Sequence, residues 1–109
     1  MSGITTHVLD TSRGRPAAGV PVRLERGSAM LASSRTDADG RVRDLLPQHL
    51  QLHAGVYRLV FETGVYFRAQ GVEAFYPHVA IDFEIRDPAQ HYHVPLLLSP
   101  FGYSTYRGS

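Results

Sequence analysis

The sequence predicts an all-β sandwich that forms one domain. Short segments alternate between apolar and polar residues, and turn-forming residues separate them, a pattern typical of sandwiches. In the segment 79–85 the apolar residues stand two apart, as in a strand with one buried face. The chain of 109 residues is long enough for one hydrophobic core and too short for a second domain. We therefore expect a single domain over residues 1–109.

Each predicted strand follows from its own pattern. Val20, Val22 and Leu24 share one face of the second strand, and the segment 36–41, Thr-Asp-Ala-Asp-Gly-Arg, has the residue types of a tight turn. A turn cluster at 12–16 separates the first two strands. In chain order, strands are predicted at 4–10, 19–25, 30–36, 41–43, 57–63, 79–86 and 91–98, with a last strand after a turn at 99–102.

One segment, residues 45–54, is predicted to be helical. Its apolar residues recur at intervals of four, and Gly55 follows where a helix often ends. Pro47 is compatible only with the first turn of such a helix. His49 and His53 stand four apart and would share one side of this helix. The recurring apolar residues are Leu46, Leu50 and Ala54.

The composition excludes several kinds of chemistry and partner. Eleven basic residues, all arginine, and ten acidic residues give a net charge of +1, so bulk charge does not indicate a nucleic-acid or anionic-membrane partner. The sequence has no lysine and no cysteine, which excludes Schiff-base chemistry and a thiolate nucleophile. No stretch approaches the roughly eighteen apolar residues of a membrane span, and the first residues lack a signal-peptide pattern. We expect a soluble, cytoplasmic protein.

Because side chains alternate between the two faces of a strand, several histidines are predicted on the side of the sheet that faces away from the core. Alternation from residue 91 onward gives His91 and His93 the outer side, and alternation in the first strand gives His7 the same side. This outer face is also apolar, because it carries Leu9 and Leu97. An apolar face of this kind is seldom left in water, so we expect another subunit to cover it.

Six histidines raise the question of a metal site, which needs three or four convergent ligands. His91 and His93 form one candidate pair, and His49 and His53 form another. An acid–base or hydrogen-bonding role is favoured for the strand pair, and we expect no metal and no cofactor. A serine triad lacks its G-x-S-x-G motif, and the Asp-rich turn lacks the terminal glutamate of a calcium loop. The remaining residue types suit metal-free hydrolysis, in which a histidine deprotonates water and arginines hold an oxygen-rich substrate.

Three stretches resemble the 5-hydroxyisourate hydrolases, which belong to the transthyretin-like proteins of purine catabolism. The stretches are Thr6-His-Val-Leu-Asp10, Thr36-Asp-Ala-Asp-Gly-Arg41, and His91-Tyr-His-Val-Pro95 with the terminal Tyr106-Arg-Gly-Ser109. The resemblance runs from residue 4 to residue 109, and the terminal motif is specific to the hydrolases. It implies a transthyretin-like, eight-stranded β-sandwich with one short helix. It also implies a homotetramer, a dimer of dimers, with active sites at the dimer–dimer interface.

The resemblance also implies the reaction and its residues. The reaction is hydrolysis of 5-hydroxyisourate to 2-oxo-4-hydroxy-4-carboxy-5-ureidoimidazoline during the degradation of urate to allantoin. The implied catalytic residues are His7, Arg41, His93 and Ser109. The implied substrate-binding residues are His7, Arg41, Tyr106, Arg107 and Gly108, with His91 in a supporting role. His7 and His93 would position and deprotonate the attacking water, and which of them is the base depends on neighbours that set each pKa.

Two other functions fit parts of the pattern. A transthyretin-type carrier would hold a small aromatic ligand in the same channel, but ionisable groups at His7, Arg41 and His93 would be costly there. An immunoglobulin-like structural module fits the strand pattern. That module gives no reason for the terminal Tyr-Arg-Gly-Ser. The hydrolase is therefore the favoured function.

Overall fold

A computed structural model describes residues 3–109, and within that range the chain forms nine β-strands and one short helix. The helix α1 spans Thr63–Arg68. The strands are β1 Gly3–Asp10, β2 Arg15–Pro16, β3 Pro21–Arg26, β4 Ala29–Arg35, β5 Arg41–Val42, β6 Gly55–Phe61, β7 Val79–Ile85, β8 His91–Ser99 and β9 Gly102–Thr105. Eight of them match the predicted strands to within two residues at each end, although Thr63, predicted to end a strand, begins the helix, and β2 is a two-residue addition inside the predicted turn cluster.

The strands form two sheets. The first sheet has the order β2-β1-β8-β9, with β5 also paired to β1, and the second has the order β4-β3-β6-β7. β1 and β8 run parallel, with Thr5 opposite His93 and His7 opposite Pro95. A parallel pair needs a long connection between its strands, and here that connection contains most of the domain. The first sheet therefore joins residues from both ends of the sequence, and it contains His7, Arg41 and His93.

The hydrophobic core lies between the two sheets. Alternate residues of β3, β7 and β8 point into it, as the sequence predicts. Val8, Leu24, Leu59 and Leu96 are completely buried there. The prediction of an all-β sandwich is confirmed. None of the helical structure in residues 3–109 has the length and apolar character that a membrane-crossing helix needs.

The predicted helix at residues 45–54 is wrong. This segment has an irregular backbone, with a single turn in which the N–H of Leu50 donates to the carbonyl oxygen of Pro47 at 3.0 Å. Leu45 is buried, whereas Ala54 is exposed, so the four-residue spacing does not produce a buried stripe. His49 and His53 consequently do not share a helix face, and both are exposed.

The true helix, α1, was not predicted because its stability comes from tertiary contacts. Its sequence, Thr-Gly-Val-Tyr-Phe-Arg, contains β-branched and aromatic residues of modest helix propensity. Its N-cap, Glu62, makes no capping hydrogen bond with its side chain. Tyr66 and Phe67 are buried, and the Tyr66 hydroxyl donates to the buried carboxylate of Asp10 at 2.8 Å. Packing against the sandwich therefore maintains a helix of six residues that local sequence does not favour.

Candidate active site

A tight turn before β5 positions Arg41 beside His7. The two residues pair across β1 and β5. The Asp37 carboxylate accepts hydrogen bonds from the backbone N–H groups of Asp39 and Arg41, both at 2.9 Å. Gly40 has a φ of +75°, and a side chain there would collide with the carbonyl oxygen of Val8, so both its conformation and its surroundings require glycine. The motif that sequence analysis interprets as a structural turn is therefore the support of Arg41.

The charge of Asp37 stabilises this turn at neutral pH. The hydrogen bond from the backbone N–H of Arg41 is the main cause that lowers the pKa of Asp37, and the N–H of Asp39 and the Arg43 guanidinium act in the same direction. Arg43 also forms salt bridges with Asp37 at 3.5 Å and with Asp39 at 3.1 Å. These pairs are exposed, so their energetic contribution is small. Their effect is to hold the turn in one geometry.

His7 contacts the same turn through its ring. Its Nε2 lies 3.0 Å from the backbone carbonyl oxygen of Asp39. Because a carbonyl oxygen can only accept a hydrogen bond, His7 must donate its Nε2 proton. The neutral form of His7 therefore has its lone pair on Nδ1. This bond orients His7 on the outer face of the first sheet, the side that strand parity predicts.

His93 lies on the outer face of β8 and bonds to β1 through its side chain. Its Nδ1 is 2.8 Å from the hydroxyl oxygen of Thr5, and Nε2 of His91 is also 2.8 Å from that oxygen. One hydroxyl thus lies between two imidazole rings. Because Nδ1 of His93 is engaged by Thr5, Nε2 is the ring nitrogen that remains for water or substrate.

The environment of His93 favours its neutral form. Burial is the main cause that lowers its pKa below the ordinary 6.5, and electrostatic repulsion from Arg41, His7 and His91 lowers it further. A backbone group of Thr5 opposes this shift more weakly. His93 therefore has a free lone pair at neutral pH, which a general base requires.

The C-terminal residues fold back across β8. The N–H of Gly108 donates to the carbonyl oxygen of His93 at 2.8 Å, and the two residues form an antiparallel bridge. A Cβ on Gly108 would lie 2.5 Å from Cδ2 of His93. The backbone at Gly108 is thus packed directly against the imidazole, so this position has no room for a side chain.

Two open clefts meet at His91 and contain most of the predicted site residues. One is lined by Arg41, His91, His93 and Ser109, together with Thr5, Thr6, Val42 and Arg43. The other is lined by His91, Arg107, Gly108 and Ser109, together with Ala89 and Gln90. Arg41 and His93 thus share a cleft with Ser109, whereas Arg107 lines only the other cleft and His7 lines neither.

Two predicted side chains, those of Tyr106 and Arg107, do not line the cleft that contains Arg41 and His93. The Arg107 guanidinium lies over the ring of Tyr92, 4.6 Å from its centroid, and donates to Gln90 at 3.2 Å. Tyr106 is 59% exposed. Within one chain, residues 3–109 therefore do not bring these two side chains onto Arg41 and His93.

Sequence reasoning did not identify Thr5 as a site residue. Thr5 is two positions from His7 and therefore shares its outer face, but its contact with His93 depends on the parallel register of β1 and β8. Thr5 and His93 are 88 positions apart, so no local pattern reports their contact. No group of three or more potential metal ligands is present in residues 3–109.

Comparison with known proteins identifies relatives along the whole chain. A 5-hydroxyisourate hydrolase from Caulobacter vibrioides is 50% identical, with complete coverage of both chains. The structure of Klebsiella pneumoniae 5-hydroxyisourate hydrolase superposes with a TM-score of 0.90 at 44% identity and covers 100% of this chain and 94% of that one. A sea bream transthyretin in complex with thyroxine is 32% identical with a TM-score of 0.89, covering 96% of this chain and 93% of that one.

The match is also evident at the level of the family. The sequence model of the HIUase/Transthyretin family matches residues 4–108. That range includes both sheets, the turn that supports Arg41, and the segment that contains His91 and His93. The chain belongs to the HIUase/Transthyretin family.

Proposed function

We propose that this chain is a hydrolase that converts 5-hydroxyisourate to 2-oxo-4-hydroxy-4-carboxy-5-ureidoimidazoline in the degradation of urate. The observation that carries the proposal is the cleft shared by Arg41, His91, His93 and Ser109. The chain that contains this cleft is 44–50% identical to the hydrolases from Klebsiella pneumoniae and Caulobacter vibrioides. The chemistry needed is attack of water on a ring carbonyl and cleavage of a cyclic amide C–N bond.

In the proposed mechanism, His93 is the general base. Its Nε2 removes a proton from water as the water oxygen attacks the carbonyl carbon, and a base placed in this way accelerates a reaction by about 10²- to 10⁴-fold. Arg41 donates hydrogen bonds to the carbonyl oxygen that becomes negative. His7, which is held by the turn, orients the substrate beside Arg41. His93 then returns the proton to the ring nitrogen that leaves.

The terminal residues complete the proposed site. The hydroxyl of Ser109 orients the substrate ring, and Gly108 lets the backbone approach His93 closely. We assign substrate-oxygen binding to Arg107 and ring contacts to Tyr106. Both side chains are exposed, and in the proposed assembly a second subunit contacts them. This assignment therefore depends on assembly.

We further propose that four chains assemble as a dimer of dimers, with the sites at the dimer–dimer interface. The outer face of the first sheet carries the half-buried Leu9 and Leu97 beside His7 and His93. Covering this face would remove apolar surface from water. It would also exclude water from the cleft, which strengthens the interaction of Arg41 with a developing negative charge.

The site favours hydrolysis over transport of a small apolar ligand. The sea bream transthyretin is a relative that binds thyroxine. In the present chain, Arg41 and three histidines lie together at the cleft and in the adjoining strand. Their desolvation by an apolar ligand would be costly unless the ligand paired with them. An oxygen-rich heterocycle supplies such pairing.

Ultraviolet absorbance provides the test of activity. 5-Hydroxyisourate is generated from urate by urate oxidase, and its decay is followed with and without this protein. We expect a concentration-dependent acceleration, and a loss of about 10²- to 10⁴-fold in kcat for His93→Ala. His78→Ala, which changes an exposed histidine outside the clefts, is the matched control and keeps wild-type turnover. Decay at the spontaneous rate with wild-type protein would reject the proposed function.

A further inference from the structure

The Thr5 hydroxyl connects two histidines that have different surroundings. Its oxygen lies 2.8 Å from Nδ1 of His93 and 2.8 Å from Nε2 of His91. His93 is half-buried in the cleft, whereas His91 is exposed. The three side chains belong to neighbouring parallel strands, and Thr5 is directly opposite His93 in the register. Backbone pairing therefore fixes their order as His93, Thr5, His91.

A hydroxyl has one proton, so it cannot donate to both rings. In one arrangement, Thr5 donates to Nδ1 of His93, and the neutral His93 then has its proton on Nε2, where it cannot accept another from water. In the other arrangement, Nδ1–H of His93 donates to Thr5, and Thr5 donates to Nε2 of His91. Of these two arrangements, only the second leaves Nε2 of His93 with a lone pair in the cleft, and if both rings instead donated to Thr5, His91 would have no lone pair on Nε2 to accept a relayed proton.

We propose that Thr5 is a positioning residue that holds His93 in its Nδ1–H form and relays a proton between His93 and His91. This inference rests on the proposed function, because it assigns Nε2 of His93 as the atom that accepts a proton from water. In its resting state the chain of donors runs in one direction, from His93 through Thr5 to His91.

The proton transfers balance over one turnover. Nε2 of His93 takes a proton from water as the water oxygen bonds to the carbonyl carbon. The Nδ1 proton of His93 then passes to Thr5 while the Thr5 hydroxyl proton passes to Nε2 of His91, which becomes the imidazolium. The reverse transfer restores the Nδ1 proton of His93. Nε2 of His93 finally gives its proton to the ring nitrogen as the C–N bond breaks, so the protein gains no proton.

The difference in solvent exposure between His93 and His91 favours moving the positive charge outward. His93 faces Arg41 on β5 and His7 on β1, and it is partly removed from water. His91 is exposed. It lines one cleft with Arg43 and the carboxylate of Asp44, and another with Arg107. An imidazolium at His91 is therefore better solvated than one at His93, while the nearby arginines and the carboxylate of Asp44 act on it in opposite directions. The lowered pKa of His93 is consistent with this direction.

Thr5→Val and Thr5→Ser provide the decisive pair of variants. Valine keeps the shape of threonine but removes the hydroxyl, whereas serine keeps the hydroxyl. We expect Thr5→Val to lose about ten- to a hundredfold in kcat with little change in KM, the scale of loss seen when metal-bound histidines lose their orienting partners. Thr5→Ser restores most of the lost turnover. Thr11→Val removes a threonine hydroxyl that donates to the carbonyl oxygen of Leu98, and as the matched control it keeps wild-type kcat.

A spectroscopic readout tests the tautomer independently of turnover. Long-range ¹H–¹⁵N NMR spectra of ¹⁵N-histidine-labelled protein near neutral pH distinguish protonated from unprotonated ring nitrogens. In the wild-type protein we expect Nδ1 of His93 to be protonated and Nε2 unprotonated. Thr5→Val abolishes this preference, and Thr5→Ser keeps it. Because the measurement needs no substrate, it also gives the tautomer of His93 in a variant that turns over slowly.

A double substitution tests whether Thr5 and His91 act together. If both belong to one relay, His91→Ala combined with Thr5→Val lowers kcat no further than Thr5→Val does. Additive losses, an unchanged His93 tautomer in Thr5→Val, or a Thr5→Val defect that serine does not restore would each overturn the inference. A wild-type protein that fails to accelerate 5-hydroxyisourate decay would reject the proposed function, while the NMR readout would still decide the Thr5–His93 tautomer.

Discussion

At the residue scale, the position of His93 depends on the absence of a side chain at Gly108. The backbone at Gly108 bonds to the carbonyl of His93 at 2.8 Å, and a Cβ there would lie 2.5 Å from the imidazole. The ring cannot keep its present place if residue 108 has a side chain. Glycine is therefore required by the space around it, because a neighbouring ring occupies the volume of a side chain.

Gly108→Ala is expected to displace the His93 ring and lower kcat by about a hundredfold, the scale of loss for a reacting group misplaced by about 1 Å. The fold should persist, because the substitution lies on the surface. Steady-state kinetics and thermal unfolding measure the two effects. Gly102→Ala is the control, because a Cβ there would meet Ser99 at an ordinary 3.8 Å. Equal activity of Gly108→Ala and wild type would contradict this packing.

The pH dependence of activity is also decided by single residues. A base must be neutral to accept a proton, and burial and the charge of Arg41 lower the pKa of His93 below 6.5. We therefore expect kcat/KM to fall only as the pH decreases below 6.5. Arg41→Gln removes one of the charges that lower this pKa, so the acidic limb should move to higher pH in addition to the loss of substrate binding.

Arg58→Gln is the matched control for this profile. Arg58 is exposed on the second sheet, where it pairs with Asp82 at 2.7 Å. Its removal should leave the acidic limb in place. A limb that lies above pH 6.5 in the wild-type protein, or one that does not move in Arg41→Gln, would contradict the role given to His93.

At the scale of elements, α1 depends on a buried hydrogen bond more than on its own sequence. Burial is the main cause that raises the pKa of Tyr66, and its hydrogen bond to Asp10 acts in the same direction, so the hydroxyl remains a donor. Asp10 is almost completely buried and also accepts from Ser12 and from the backbone N–H of Arg13. This carboxylate therefore links α1 to the turn after β1.

Tyr66→Phe should destabilise the fold by about 1.5–3 kcal/mol, because it leaves a buried carboxylate oxygen without its donor. Urea unfolding measures the change, and kcat of the folded variant should be close to that of wild type because the clefts lie elsewhere. Tyr103→Phe is the control, since Tyr103 is 42% exposed. A free energy of unfolding unchanged by Tyr66→Phe would mean that packing alone maintains α1.

At the scale of the whole molecule, the two sheets differ in what their outer faces carry. The outer face of the second sheet presents charged pairs such as Arg58 and Asp82. The outer face of the first sheet presents histidines together with Leu9 and Leu97. Charged pairs are stable in contact with water, whereas the apolar part of the first sheet's outer face is more stable in contact with another protein surface. The proposed assembly follows from this asymmetry.

Light scattering after size-exclusion chromatography should give a mass of four chains. Leu97→Asp puts a charge on the proposed interface, so we expect a smaller species that has lost most of its activity. Val56→Asp is the control, because Val56 is 59% exposed on the second sheet. That variant should remain a tetramer. A wild-type monomer with full activity would contradict the proposed placement of the sites.

The strands were largely predictable because a strand records its burial in every second residue. Alternation gave the core face of β3, β7 and β8 and put His7 and His93 on the outer side. The helix was not predictable in the same way. Residues 45–54 have a four-residue spacing without a buried stripe, while α1 has aromatic residues that only the sandwich can bury.

The amino-acid sequence alone therefore determined the sandwich, the faces of its strands, and the resemblance to a family, because each of these depends on local periodicity or on short motifs. Tertiary structure alone decided which distant residues meet. Thr5 contacts His93 across 88 positions of sequence, and Gly108 folds back onto the same ring. Strand register sets these contacts, and register is a property of two paired segments that neither segment encodes separately.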